Sequence, residues 1–327
     1  MIRVGFVGTG FVARKRADAI AADPRARVAA VVGHDGAETT AFAQQYGATP
    51  SPHWRDLVTN AAIDLVMVCH INRDHGEVAQ AALEAGKSVV VEYPLALDFS
   101  QAQRISEVAR QRGQFLHVAH VELLSSHHQT LKGQLPTLGC VQYAQYCTLS
   151  PKQRRQHHWT FRPDLFGFPL VGAQSRIHRL IDCFGPVRRV YCQNRYVNFE
   201  FQADAAEGHH EGGLCSAHLR FTSGVMAEVV YGKGKAVWSP TRRMEVWGTD
   251  GGLVLDGNRG EQFHRQGTRS LTLGPREGLF HQDTRRVLDC LINNRPRYCS
   301  VEDSLYSLQV AIAAEQSAAS GEAVEMP

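Results

Sequence analysis

Apolar residues fall along this chain in two rhythms, and the change between them divides it. Up to residue 122, short runs with apolar centres alternate with helical patterns. The runs at 2–7, 28–32, 64–69, 88–92 and 115–118 have the look of strands buried on both faces. Between them the spacing predicts helices over 12–22, 39–46, 54–59, 75–85 and 100–112, with Gly47 and Gly86 standing where C-caps are expected. Strand–helix alternation with short connections requires parallel pairing and right-handed crossovers. The expectation for 1–122 is therefore an α/β Rossmann domain, a doubly wound parallel sheet. After residue 122 comes a helix at 123–135, then longer alternating segments at 140–149, 187–197, 215–221, 224–231, 243–248 and 252–256. The links Thr222-Ser223-Gly224 and Thr249-Asp250-Gly251-Gly252 have hairpin chemistry. They predict an α+β domain over 123–327 with a large antiparallel sheet, closed by helices at 282–293 and 301–317.

Composition narrows the class only a little. At 327 residues, 43% hydrophobic and 20% charged, the chain suits a two-domain globular enzyme. A formal charge of +3 does not call for nucleic acid. Its basic clusters, Lys152-Gln153-Arg154-Arg155 beside His157 and His158, and Arg242-Arg243, read first as solvated surface and second as a funnel for a small anion. No window is apolar for the length a membrane span needs. The chain opens directly in a strand, and its eight cysteines show no CxxC or zinc-type spacing, so the expectation is a cytoplasmic protein with reduced thiols. Four histidines, His117, His120, His127 and His128, cluster in sequence, but no carboxylate–histidine helical motif accompanies them and no metal is expected. The broad open sheet of the second domain is compatible with solvent, substrate or another subunit.

The segment Gly8-Thr9-Gly10-Phe11-Val12-Ala13 follows a strand and opens a helix. It fits GxGxxA: Gly8 for the tight turn, Gly10 for close backbone approach to phosphate, Ala13 for helix–strand packing. The helix N-terminus adds N–H groups and a positive dipole end. At the end of the second strand a carboxylate would select NADH by bonding the ribose 2′-hydroxyl. Here Gly33 takes that place and His34 follows, with Arg14, Lys15 and Arg16 in the neighbouring helix, which favours NADPH. Asp35 keeps NADH open if the register moves by two. Cys69 closes the third expected strand and His70, Asn72 and His75 follow it, on the edge where such sheets bind ligands. His75 reads as a helix cap before it reads as a catalyst.

Together the glycine turn, Asp74-His75 before a helix ending Ala85-Gly86-Lys87, and Glu92-Tyr93-Pro94-Leu95-Ala96 resemble the glucose–fructose oxidoreductase/inositol dehydrogenase superfamily. That resemblance places the 70–75 loop along the nicotinamide ribose. The superfamily's usual Glu-Lys-Pro supplies a lysine that handles a sugar hydroxyl proton, and here the position is Tyr93. Of its later Asp-x-Gly-x-His motif only His178 matches in Gln174-Ser175-Arg176-Ile177-His178. Both changes remove parts an alcohol dehydrogenase needs.

The Glu-Tyr-Pro form is similar to the biliverdin reductases of cyanobacterial type, and the similarity runs through Phe166-Gly167-Phe168-Pro169-Leu170-Val171, Ser175-Arg176-Ile177, Tyr231-Gly232-Lys233-Gly234 and Gly278-Leu279-Phe280. It implies biliverdin as substrate, NADPH as hydride source, and a protonated pyrrolic nitrogen in the product. Such chemistry needs a cation or acid near the pigment, and the resemblance points to Arg176. A guanidinium rarely yields its proton, so its role is expected to be electrostatic or through water; a structural ion pair with Asp182 or another carboxylate is the bland alternative. Glu92 and Tyr93 are expected to line the nicotinamide side, Tyr93 offering a neutral O–H and a flat face, with a cis bond possible at Pro94. His157-His158-Trp159 and Arg154-Arg155 are candidates to border the pigment and attract its propionates. Two other functions fit less of this evidence: a sugar or cyclitol dehydrogenase, and a non-catalytic dinucleotide sensor.

Overall fold

A computed structural model describes residues 1–151, 158–198, 200–201 and 208–327. They form two compact units, Met1–Val121 with Gly278–Leu305, and Glu122–Glu277 with Tyr306–Pro327. A contiguous division at 122/123 leaves out the return of 278–305 to the first unit.

The first unit holds β1 (Ile2–Val7), α1 (Phe11–Ala21), β2 (Ala26–Val32), α2 (Gly36–Tyr46), β3 (Thr49–Pro50), α3 (Trp54–Thr59), β4 (Leu65–Val68), α4 (His75–Glu84), β5 (Ser88–Glu92), α5 (Phe99–Gln111) and β6 (Leu116–Ala119). All six strands are parallel, in the order β3-β2-β1-β4-β5-β6. Every residue of β4 and β6 is buried, as strands covered on both faces require. One hydrophobic cluster joins Val4 and Phe6 of β1, Ala17 and Ile20 of α1 and Phe42 of α2 with Val287 and Leu288. The last two explain why 278–305 belongs here: burying the apolar face of that helix covers α1.

The second unit contains α6 (Ser126–Gln134), β7 (Val141–Ser150), α7 (Pro163–Phe166), α8 (Pro169–Gly172), α9 (Ser175–Phe184), β8 (Val187–Val197), a small ladder of β9 (Glu200–Phe201) with β10 (Gly208–His209), then β11 (Gly212–Phe221), β12 (Met226–Gly234), β13 (Thr241–Gly248), β14 (Gly251–Asp256), β15 (Arg259–His264) and β16 (Gly267–Thr272). After α10 (Leu279–Asn293) and α11 (Val301–Ser320), β17 (Val324–Glu325) joins the far edge of the sheet. The nine strands run β16-β15-β14-β13-β7-β12-β11-β8-β17. Both expected hairpins form, β11–β12 and β13–β14.

The sheet is not wholly antiparallel, however. β7 lies between β12 and β13 and pairs with β12 in parallel, Tyr231 opposite Thr148. The link from β12 to β13 therefore crosses over β7 instead of turning back, a detail no turn motif announces. The β15–β16 hairpin also escaped the apolar pattern: β16 is almost entirely exposed, so its strand carries no buried alternation to read.

Candidate active site

In the first unit, the turn after β1 has the shape a pyrophosphate needs. Gly8 adopts φ +117°, and a Cβ there would lie 2.4 Å from the Cys69 carbonyl oxygen. At Gly10 a Cβ would meet nothing within 4 Å, so the face in front of α1 is open. No side chain caps α1, leaving its first N–H groups for a ligand. Phe11 is 69% exposed at that mouth, with Val12 half-buried behind it. Thr9 is buried and its hydroxyl reaches Glu38 Oε2 at 3.4 Å. These features fit a dinucleotide.

The end of β2 is more constrained than the sequence suggested. A Cβ on Gly33 would come within 2.8 Å of Thr39 Oγ1 and of Thr9 Cγ2, so glycine has a packing reason there as well. Asp35 is the N-cap of α2 and accepts from the Glu38 N–H at 2.9 Å through one of its two carboxylate oxygens. His34 is exposed and makes no hydrogen bond among the described residues. Of the three basic residues of α1, Arg16 does not serve a 2′-phosphate: it is fully buried.

Arg16 instead organises the polar core beneath the sheet's edge. Its Nε donates to Glu92 Oε1 at 2.5 Å and its Nη1 to Asp283 Oδ2 at 2.6 Å and Thr284 Oγ1 at 3.2 Å. Burial works against its charge, but the carboxylates of Glu92 and Asp283 raise its pKa above the ordinary value. Asp283 also receives His117 Nε2 at 2.9 Å and the Tyr298 hydroxyl at 2.6 Å. Burial works against its charge too, yet Arg16 and His117 hold it well below the usual carboxylate range. Glu92 goes the other way: burial pushes its carboxyl up, with Arg16 opposing. Asp283 sits 267 residues from its partner, and no local pattern pairs them.

The 69–75 loop is tied to the Glu-Tyr-Pro turn through one ring. His75 Nδ1 meets the Pro94 carbonyl at 2.8 Å and Nε2 the His70 carbonyl at 3.2 Å, so this fully buried histidine bridges two turns and does not cap α4. Asp74 is the residue at that N-cap. His70 stacks on His75 at 5.4 Å, and its buried Nδ1 has no partner among the described residues, a polar atom a nicotinamide ribose can satisfy. Burial lowers the His70 pKa to about 3, so the ring is neutral. Asn72 is buried in the 3₁₀ turn that follows, and Cys69 is buried behind Gly8. Tyr93–Pro94 is cis. The half-buried Tyr93 ring lies flat on His120, centroids 5.3 Å apart and 11° from parallel, and His120 Nε2 shares a hydrogen bond with Ser304 Oγ at 2.9 Å.

In the second unit, one face of the sheet collects cations. Arg176, at the start of α9, places its guanidinium 5.1 Å from the Tyr231 ring centre and donates to Thr148 Oγ1 at 3.4 Å and Ser175 Oγ at 3.1 Å. Asp182, the carboxylate offered to it by the bland reading, is held by His128 Nε2 at 2.6 Å and Lys132 Nζ at 2.9 Å. Arg179 donates to the Tyr146 hydroxyl at 2.8 Å and to His128 Nδ1 at 3.3 Å. Arg242 reaches Glu122 at 2.9 Å and the same Tyr146 oxygen at 3.3 Å, and Arg276 also donates to Glu122. Burial raises the Tyr146 pKa, but Arg179, Arg242 and Arg176 outweigh it and bring it below the ordinary phenol. Burial likewise works against Glu122, yet Arg242 and Arg276 take it down to about 2.

Strand alternation split Arg242-Arg243, which the sequence treated as one surface cluster. Arg243 pairs with Glu245 at 2.5 Å and Asp256 at 3.0 Å, while Arg242 joins Glu122 and Tyr146. The four clustered histidines also go to separate partners, His127 to the Gly257 carbonyl. His128, Asp182 and Cys183 do place one ligand atom each within 4.8 Å of one another. Lys132 and Arg179 put positive charge on that group, which opposes a metal cation. His178 is buried, with Nδ1 2.9 Å from Ser307 Oγ. Residues 152–157, with the expected propionate ligands Arg154 and Arg155, lie outside the described residues.

Residues 2–120 match an oxidoreductase family described by its NAD-binding Rossmann fold, and residues 130–326 match the C-terminal α/β domain of the same family. A solved biliverdin reductase from a Synechocystis strain, in complex with biliverdin and NADP+, is 40% identical, with a TM-score of 0.92 over 97% of this chain and 99% of that one. Mouse biliverdin reductase A is 32% identical over 130 residues, a stretch that is 40% of this chain and 41% of the mouse protein. The dTDP-3,4-didehydro-2,6-dideoxy-alpha-D-glucose 3-reductase of Streptomyces antibioticus is 27% identical over 88% of this chain and 83% of its own length.

Proposed function

The chain belongs to the oxidoreductase family with an NAD-binding Rossmann fold and a C-terminal α/β domain, and from that premise we propose that it reduces biliverdin to bilirubin with NADPH. The observation that carries this reading is the 40% identity to the Synechocystis biliverdin reductase, sustained over 97% of this chain. Bound NADPH supplies the hydride that enters the central methine carbon, and a pyrrolic nitrogen takes up one proton.

The residues have separate tasks. Gly8, Thr9, Gly10, Phe11 and Val12 hold the pyrophosphate end at the open mouth of α1, with Gly33 and His34 beside the adenosine ribose. Cys69, His70, Asn72 and His75 shape the loop for the nicotinamide ribose, His70 through its spare Nδ1. Arg176 is a permanent cation that stabilises the charge developing on the pigment, held in aim by Thr148, Ser175 and the Tyr231 face. Tyr93 offers its hydroxyl and flat ring, stiffened by the stack on His120. Glu92 acts as a positioning residue: its bond to Arg16 anchors the end of β5 just before Tyr93.

Similarity to the Streptomyces reductase over most of both chains supports ketosugar reduction as a second reading. Tyr93, in place of the superfamily's lysine, speaks against it. Visible spectra of the purified protein with biliverdin and NADPH separate the two. Loss of the green pigment with growth of yellow bilirubin is expected, faster with NADPH than NADH; NADPH binding without any colour change would reject the reading.

A further inference from the structure

We propose that Lys233 anchors a carboxylate of the substrate and so sets the preference for a dianionic pigment, an inference that rests on the biliverdin reading above. Lys233 stands two residues after Tyr231 on β12, so both side chains leave the sheet on one face. Tyr231 lies opposite Thr148, the hydroxyl that receives Arg176, and Lys233 opposite Ser150. Arg176 and Lys233 share the Tyr231 ring, at 5.1 and 6.0 Å from its centre. Two cations thus flank one aromatic ring on the face that also carries Arg179 and Arg242.

The surroundings direct the ammonium. Its Nζ lies 3.8 Å from the Phe166 centroid and 5.0 Å from that of Phe161, and it donates to the Thr160 carbonyl. His210, packed on Tyr196 at 4.4 Å and Phe161 at 5.4 Å, is kept neutral by burial and by Lys233 itself. Across the sheet from Lys233, β11 contributes Gly213, which brings no side chain and lies against the Tyr196 ring. A half-buried ammonium among aromatic faces, near a guanidinium, suits a ligand that combines a flat conjugated body with carboxylates.

Lys233 also has a structural task, since it holds Thr160 in the short turn Trp159–Phe161. Comparing biliverdin with its dimethyl ester, in which both carboxylates are masked, separates the two roles. The wild-type protein is measured first: failure to turn over biliverdin overturns the functional reading, while turnover with equal KM for acid and ester overturns this inference alone. In Lys233→Met, KM for biliverdin is expected to rise about tenfold and KM for the ester less than about twofold, with kcat for the acid much less affected. Lys233→Arg should restore the discrimination. Lys233→Gln, which still donates to the Thr160 carbonyl, should behave like Lys233→Met and serves if that variant does not fold. Equal losses for acid and ester, or unchanged discrimination in the neutral variants, would leave Lys233 a structural residue.

Discussion

Two groups of cations in this molecule have differently built surroundings. In the first unit a single guanidinium, Arg16, meets two carboxylates, Glu92 and Asp283, within 2.6 Å. In the second unit Arg242 and Arg276 share one carboxylate, Glu122, while Arg176 and Arg179 rest on hydroxyls, an imidazole and aromatic faces. The first arrangement surrounds one cation with two carboxylates and fastens α1, β5 and α10 together. The second gathers four guanidinium groups on one sheet face, around Tyr146, Thr148 and Tyr231.

The comparison breaks most visibly at Asp283. Asp283 is the buried acceptor shared by Arg16, His117 and Tyr298, so Asp283→Ala should lose about 3–5 kcal/mol in urea unfolding although Glu92 still holds Arg16; a loss within about 0.5 kcal/mol would show that Arg16 is not held as described. Glu122→Gln should cost less, about 1–3 kcal/mol by the same measurement, because Arg242 keeps its contact with Tyr146.

A pH titration of stability sharpens the picture further. His70 and His210 are lowered from 6.5 to about 3 and about 4 and stay neutral when folded, so they take up protons on unfolding. Their contribution is full above pH 6.5 and is lost as pH falls toward 4. The urea midpoint should decline over that window, and His210→Gln should flatten the decline; an equal slope in the variant would contradict the assignment. The smallest effect is expected at the mouth of the cofactor turn. His34→Asp should move the ratio of NADPH to NADH affinity about tenfold toward NADH, by fluorescence titration, because position 34 is exposed whereas a side chain at Gly33 is blocked by Thr9 and Thr39.

Much of this was legible in residue order. The glycine turn, the parallel strands of the first unit and both hairpins of the second rest on local chemistry, and local chemistry is what a sequence displays. What lay hidden depends on contacts distant along the chain. Arg16 reads as one of three bases near a phosphate until Asp283 is brought beside it. His75 stands where a cap belongs, yet its ring is claimed by the carbonyls of His70 and Pro94. The parallel pairing of β7 with β12 joins residues 83 apart along the chain, and it puts Thr148 beside Tyr231 and so beside Arg176. Lys233 stands out in the sequence only as part of the run Tyr231-Gly232-Lys233-Gly234; that it shares a face with Tyr231 is clear once β12 is in place.

The most direct test of the account is a single-turnover measurement on Arg176→Ala beside the wild-type protein, with NADPH bound and biliverdin added, followed by visible absorbance. The account predicts that bilirubin forms in the wild type and about 10²–10³-fold more slowly in the variant, while NADPH affinity and the urea midpoint stay close to wild type. Equal rates in the two proteins would contradict it, because the cation held on the sheet face would then have no part in the reaction.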